Sequence, residues 1–528
     1  MLLTWLHPHQ HRFVQLQGSK DYVCTEEEKM KRKLASSQVV THCYFFFQVV
    51  VSEDKSRRMG SACHLTAKCS HCSGVLGQTM TSQKTGLAHT GHDINRRIIS
   101  AAAVNGIGFT QLSRFFALLN MPPPMHQKTW QFYQKTLYTG AHRAADSHLQ
   151  EAAELVREMY AEMKIGEPTP DGQLDVSVSF DGSWHRRGRC SHTGIATVIE
   201  VFSGLILDFI TLSNYCLACE LGPKVDSPGY MEWFKKHESH CQKTTNCSSA
   251  AMETEAAVVM WGRSLQLHSF QYMEMLGDGD GKAHGKVNGL HPYGPEASIK
   301  KIECVNHVTK RMGTALRTLV EKRKAQKLPI GGRGKLTDDR IKKLTNYYGR
   351  AIKDNAGNLK AMEDAVWASF FHSLSTDDDP HHERCPAGRQ SWCFYKRAEA
   401  SSAAPRPHSK PLPRDIAESL VPIYKRLGDP QLLTRCLSGK TQNSNESFHS
   451  MVWRACPKER WAAKRTVDTA VAICVQRFNK GSTALLDVLT ELDIVAGTNA
   501  EDFVESEDFK RAKSAKGHHR RIPKTAVR

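Results

Sequence analysis

Hydrophobic and polar residues alternate with a period of two in the centre of the chain and with a helical period over most of the rest. The run LDVSVSFDGSW (174–184) sets Val176, Val178 and Phe180 against serines, the pattern of a half-buried strand ending at Asp181. HTGIATVIEV (192–201) and GLILDFITLS (204–213) read as two more strands joined by a turn at Phe202-Ser203-Gly204, so the three form an antiparallel meander. METEAAVVMWGRSLQLH (252–268) then predicts a helix with Met252, Val259, Met260 and Leu265 to bury. SFQYMEML (269–276) predicts a fourth strand, running straight into the turn Gly277-Asp278-Gly279-Asp280.

Upstream, INRRIISAAAVNGIGFTQLSRFFALLN (94–120) reads as two helices broken at Gly106–Gly108, stopped by MPPPM and followed by a helical run at 148–163. That arrangement suits either a DNA-binding helix–turn–helix or a small helical bundle. Residues 1–60 carry no amphipathic pattern, and no fold is assigned to them. Downstream, 305–325 predicts a basic helix, 322–360 is rich in Lys and Arg around a flexible GGRGK, and 399–414 reads as a linker. NSNESFHSMVWRAC (443–456) opens another helix, and the basic tail from Lys510 reads as disordered. Four domains follow: 1–60, a helical region at 61–170, an α/β domain at 171–456 with an insertion at about 308–435, and a helix with a basic tail at 457–528.

The order βββ–α–β, with an acid past the first strand and another past the fourth, is the opening half of a ribonuclease H-like fold. The Gly-Asp-Gly-Asp turn has two other readings, and both fail. A calcium loop starting at Asp278 would need Gly, not Ala283, at its sixth position and Glu, not Gly289, at its twelfth. A P-loop would need a Gly-Lys-Ser/Thr that is missing at the required spacing. A carboxylate at a strand end, holding a catalytic metal, remains. Asp181 and Asp278 suit it, and Glu446 is the best-placed third acid. The competing readings are an ordinary turn aspartate at 181 and a capping box at Asn443-x-x-Glu446.

Composition narrows the partners. Lys and Arg number 72 against 54 Asp and Glu, a net charge of +18. A polyanion, with nucleic acid ahead of an acidic membrane, is the partner this implies. The apolar run CYFFFQVVVS (43–52) is about half of the roughly 20 residues a membrane helix needs. MLLTWLHPHQHRF is too short and too broken for a secretory signal. A soluble intracellular protein is expected, in which 16 cysteines serve as metal ligands and free thiols.

Two Cys/His sets have zinc spacing. Cys216, Cys219, His237 and Cys241 form the first, with His240 and Cys247 as spares. His372, His382, Cys385 and Cys393 form the second, with His381 beside them. Cys63, Cys69 and Cys72 would need His64 or His89 to complete a third. Cys190, Cys436, Cys456 and Cys474 read as buried thiols.

SFDGSWHRRG, LGDGDGKAH, IECVNHVTKRMG, STDDDPHHERCPAGRQSWC and GKTQNSNESFHSMVWRACPK together resemble a Mutator-like transposase domain over about residues 61–480. The resemblance implies a ribonuclease H-like core with a helical insertion before the last acid. It implies cleavage at terminal inverted repeats, joining of 3′ ends to target DNA, two Mg²⁺ or Mn²⁺ ions per site, and a homo-oligomer in the nucleus. The implied triad is Asp181, Asp278 and Glu446, with Asp280 as alternate, and the family's Cys-x2-His falls at Cys304 and His307. On a helix those two would face the same way. Lys310, Arg311, Arg317 and the basic run at 322–343 would neutralise the DNA backbone. The rivals are a domesticated, zinc-stabilised DNA-binding protein without chemistry, and a cellular nuclease on the same fold.

Overall fold

The strand at 174–184 is buried on both faces, and the rest of its domain follows from what covers each. The computed structural model describes residues 49–519 apart from 71–72, 87–90, 187–190, 279–280 and 409–410. These residues form two compact units, one through Ile99 plus Phe109–Tyr133, the other Ser100–Gly108 plus Gln134 onwards.

The first unit holds an antiparallel sheet of β1 (Val49–Glu53), β2 (His64–Cys69) and β3 (Val75–Met80), and a short pair, β4 (Lys84–Thr85) and β5 (Gly91–His92). Helices α1 (Asp93–Val104) and α2 (Phe109–Leu118) break at the expected glycines. Helix α3 (Gln127–Met163) is 37 residues long, more than twice the 148–163 run read from periodicity.

In the second unit, β6 (Leu174–Trp184), β7 (Thr193–Glu200) and β8 (Ile206–Ser213) form the meander. Two short helices, α4 (Leu217–Leu221) and α5 (Tyr230–His237), precede α6 (Ser249–His268). Strand β9 (Phe270–Gly277) pairs parallel to β6, and after α7 (Lys282–Asn288) strand β10 (Lys300–Glu303) pairs parallel to β9. The sheet order is β10-β9-β6-β7-β8.

One face of β6 presents Val176, Val178 and Phe180 to Met252, Ala256, Met260 and Trp261 of α6 and to Val156 and Tyr160 of α3. Each large side chain buried there contributes about 1.5–3 kcal/mol. Trp261 stays satisfied because its Nε1 donates to the Tyr272 carbonyl at 3.0 Å. Val259, expected in this core, is exposed on the outer side of α6.

The other face of β6, expected to be open to solvent, is covered. Ser177 and Ser179 are buried. The covering element is α14 (Asn443–Ala455), reached after α8 (Val305–Ala325), α9 (Asp338–Lys353), α10 (Leu359–His372), α11 (Phe394–Ala400), α12 (Arg414–Leu427) and α13 (Pro430–Arg435). Apart from α11, these intervening helices share a core of their own, with Met312, Leu344, Tyr348, Val366, Leu420 and Tyr424 at its centre. Three are capped by Thr337, Asn358 and Asp429, whose side chains accept backbone N–H bonds, each worth about 1 kcal/mol.

After α14 come α15 (Lys464–Lys480), α16 (Ala484–Glu491) and α17 (Thr498–His519). The tail from Lys510, expected to be disordered, is therefore helical to His519. Its last nine residues lie outside the described set.

Ser179 Oγ donates to Asn445 Oδ1, and Asn445 Nδ2 reaches Thr197 Oγ1 at 3.4 Å. Asn445→Ala leaves a buried hydroxyl without its acceptor and should cost about 1–3 kcal/mol in urea unfolding. Pairing it with Ser179→Ala should cost less than the two single losses added. Strict additivity would show that the contact carries no coupling.

Candidate active site and metal centres

Asp181 and Asp278 reach the same end of neighbouring strands because Ser179 lies opposite Leu276 and each acid follows two residues later. Asp181 sits inside β6, not in a turn, so the turn reading is excluded. Its side chain is 21% exposed, against 58% for Asp278 and 51% for Glu446. Burial, then the nearby charge of Glu253, push the Asp181 carboxyl up to about 7; Asp278 and Glu446 add to this, and the Gly182 N–H opposes it.

Glu446 stands in the first turn of α14, which is capped at Gln442 without a side-chain bond, so the capping-box reading also fails. Its Oε1 lies 3.6 Å from both His307 Nε2 and Lys310 Nζ. Cys304 caps α8 instead of lying within it, and both it and His307 reach the start of α14. The Cys304 sulfur accepts the Gln442 backbone N–H at 3.3 Å, so with His307 on Glu446 the pair holds the first turn of α14. Gln442 Nε2 donates to the Phe180 carbonyl at 2.9 Å. Arg311 bonds the buried Glu303 at 2.7 Å and stands 3.9 Å from Asp278, while Arg317 is exposed.

Two residues near the acids escaped sequence reasoning. His449, one turn beyond Glu446, places Nδ1 3.6 Å from Asp181 Oδ2. Burial, then Lys458, lower its pKa to about 4, so the ring is neutral at physiological pH. Glu253, on the first turns of α6, lies over Gly182, where a Cβ would stand 3.3 Å from its Cγ. The pairing of Glu446 with a histidine three residues on was visible in NESFH; Glu253 gave no signal.

The three acids do not close into a tight cluster. Among the described residues, groups of three or more possible ligands with donor atoms all within 4.8 Å of one another occur at the two Cys/His sets. Around a tetrahedral zinc with bonds of about 2.3 Å to sulfur and 2.0–2.1 Å to nitrogen, ligand atoms should lie about 3.8 Å (S–S), 3.6 Å (S–N) and 3.4 Å (N–N) apart. In the first set Cys216 Sγ and Cys219 Sγ lie 3.4 and 3.3 Å from His237 Nε2, and Cys219 Sγ lies 3.5 Å from Cys241 Sγ. In the second, His372 Nδ1 and His382 Nδ1 are 3.2 Å apart, Cys385 Sγ is 3.7 Å from each, and Cys393 Sγ is 3.5 Å from His382 Nδ1.

Both sets therefore fit one zinc each. Burial raises the Cys216 thiol, but N–H groups of Gln242, Cys219 and Ala218 outweigh it and hold the pKa at about 6, favouring the thiolate a metal needs. Helices α4 and α5 bury no side chain, so this loop lacks an apolar core to close it.

Other expected ligands fall elsewhere. His240 and Cys247 lie outside the first group, and His381 pairs with Asp379 at 3.2 Å. Cys63 and Cys69 join no such group. Cys72, His89, Cys190 and the alternate acid Asp280 lie outside the described residues. Cys436, Cys456 and Cys474 are buried thiols, as expected.

A family model described as Mutator-like transposase matches residues 22–393, well over half of the chain, and the chain belongs to that family. The match begins inside the stretch 1–60 that the sequence motifs left out, and it ends before Glu446. Membership points to transposase function, a DNA partner and use of divalent metal. No curated protein and no solved structure matches the chain. No described helix is long and apolar enough to cross a membrane.

The Asp181 shift sets a pH dependence. Below about pH 4 the carboxyl is protonated whether the chain is folded or not, from its ordinary value of 3.8. Between about 4 and 7 only the folded chain keeps the proton, so ionisation costs the fold progressively more as pH rises. Asp181→Asn should raise the melting temperature of metal-free protein, by little near pH 4 and by most from about pH 7 upward. Mg²⁺ should then narrow the gap by stabilising only the wild type. A gap independent of pH would remove Asp181 as its cause.

Proposed function

We propose that the chain is a DDE-type transposase on a ribonuclease H-like core, cutting DNA at terminal inverted repeats and joining the ends to a target. The observation that carries this is that Asp181 and Asp278 lie at the same end of neighbouring strands, with Glu446 near enough for its charge to act on Asp181, in a chain of this family. The sheet order, an antiparallel meander continued by two parallel strands, supports the fold. Asp181, Asp278 and Glu446 would together hold the Mg²⁺ or Mn²⁺, two ions per site as the resemblance implies.

Bound there, the ions would activate the attacking water or 3′-hydroxyl and stabilise the departing 3′ oxygen. The protein's own part is to gather acids that repel one another. Neutral His449 stands against Asp181, and His307 and Lys310 hold Glu446. Arg317 and the basic run at 322–343 offer charge to the phosphate backbone, making binding salt-dependent. The two Cys/His sets would hold structural Zn²⁺. Bridging two DNA ends calls for a homo-oligomer, and chromosomal DNA as substrate calls for the nucleus.

A second reading, a domesticated DNA-binding protein, has one observation in its favour. Lys310 and Arg311 already lie beside Glu446 and Asp278, where a cation would go. Cleavage of the genomic DNA flanking the protein's own gene, with Mg²⁺ or Mn²⁺, separates the two. Wild type should nick at defined positions. Glu446→Gln and Asp278→Asn should lose at least about a hundredfold, the scale of one preorganised transition-state contact, while still binding DNA. Binding without metal-dependent cleavage in any of the three would favour the domesticated reading.

A further inference from the structure

The second Cys/His set has an outer shell reaching a segment that otherwise has little to hold it. Residues 401–407 (SSAAPRP) are all exposed, yet the side chain of His408 is only 8% exposed. Ordering such a stretch costs about 1–2 kcal/mol per residue in backbone entropy, and it carries no large apolar side chain to bury. Its visible side-chain anchors are the Arg406 guanidinium over the Phe394 ring, 4.8 Å from the centroid, and the His408 imidazole.

The His408 contacts fix proton positions one after another. Its Nδ1 lies 2.6 Å from Asp377 Oδ1, which also accepts the His408 backbone N–H at 2.8 Å. An ionised carboxylate only accepts, so His408 Nδ1 carries the proton and, in the neutral ring, Nε2 carries a lone pair. That Nε2 lies 2.8 Å from His382 Nε2, with the ring planes 18° apart, near the coplanarity an in-plane N–H···N bond favours. His382 Nε2 must therefore be the donor, which leaves the lone pair of His382 on Nδ1. Nδ1 is the atom that faces His372, Cys385 and Cys393. With the His408 ring neutral, the proton arrangement that satisfies the chain Asp377–His408–His382 is the one a metal ligand requires, and a ligand on His382 Nδ1 selects it over the reversed bond.

We propose that His408 is a positioning residue of this metal centre: it locks His382 in the ligating tautomer, and the bound cation in turn fastens the 401–408 segment to the helical insertion. The inference rests on reading the second set as a zinc site. It adds an outer residue that lies outside the ligand group, and a mechanical consequence of metal binding. Tyr395, stacked on His382 at 4.4 Å, and Phe394, 5.1 Å from His408, flank the linkage.

The test uses full-length protein with His408→Ala, His408→Gln, His382→Ala and Cys216→Ser. Zinc per chain is counted by elemental analysis, its release to a chelating dye is timed, and hydrogen exchange is followed in peptides covering 401–408. Wild type should hold two zinc ions, and His382→Ala and Cys216→Ser one each. His408→Ala should keep two but bind one about 10–100-fold more weakly and release it correspondingly faster, with 401–408 exchanging as fast as in chelator-treated wild type. His408→Gln, whose amide oxygen can still accept from His382, should recover part of the retention, and Cys216→Ser should leave 401–408 protected.

Wild-type release and protection in His408→Ala would overturn the proposal. So would complete loss of one zinc in that variant, which would make His408 a ligand. A wild type from which His382→Ala removes no zinc would instead sink the zinc reading beneath it.

Discussion

The polar stripe of one strand fits the face of one late helix, and the proposed active site depends on that fit. Ser179, Asp181 and Ser183 project from one side of β6 and meet Asn445, His449 and Trp453 of α14 in turn. Two residues of strand advance about 6.7 Å and four of helix about 6 Å, so the two series stay in step over three contacts. The partners are about 270 positions apart in sequence. Closing such a loop is cheap only because the chain between them folds on its own core, so a compact body, not a coil, spans the gap. Glu446 is carried into place beside Asn445 without making a structural contact with the strand itself. The Cys-x2-His pair completes the docking, Cys304 on the Gln442 amide and His307 on the Glu446 carboxylate.

Two acids of one sheet, Glu303 on β10 and Asp181 on β6, show opposite solutions to burying charge. Glu303, at the end of β10, is 2% exposed and bonded by Arg311, with Lys301 and Arg435 within 3.7 Å. Its charge is matched by the protein, and it is available to nothing else. Asp181 is placed among Glu253, Asp278 and Glu446, with a neutral histidine as its closest ring. Surplus negative charge of this kind costs the fold stability, a loss that a cation at the proposed site would offset. Arg311 stands between the two environments, bonding Glu303 directly at 2.7 Å and lying 3.9 Å from Asp278, beside Asp181's strand.

What could be read from sequence was what is local. The meander, the fourth strand with its terminal acid and both Cys/His sets follow from periodicity or from spacings of a few residues, and all are present. What could not be read depends on distant partners. The serines of β6 looked solvent-facing because alternation reports the polarity of a face, not what covers it. Glu446, the best-placed third acid, kept a capping box as its rival because Asn-x-x-Glu is a local motif, whereas its neighbours His307 and Lys310 come from another helix. His408 looked like part of a linker, since nothing within ten residues marks it as a partner of His382. Val259 went wrong for the converse reason, an apolar residue on the open side of a helix that had already filled its buried face.

The first Cys/His set stands where loop order and site order meet. Cys216 follows β8 by three residues, and Cys241 precedes Glu253 by twelve. Between them the chain is stitched back to the strand end by Thr244 N donating to the Ser213 carbonyl and Asn214 Nδ2 donating to the Cys247 carbonyl. Trp184 of β6 then donates to the Ser249 carbonyl at the first residue of α6. A metal that closes the Cys/His loop shortens the free chain feeding α6 and so helps set where its first turns lie against β6. Glu253 is on those turns, and it is the carboxylate whose charge weighs most on Asp181. The electrostatics of the proposed catalytic acids are thus tied to a loop that buries no side chain in its two short helices and is closed instead by four metal-spaced ligands.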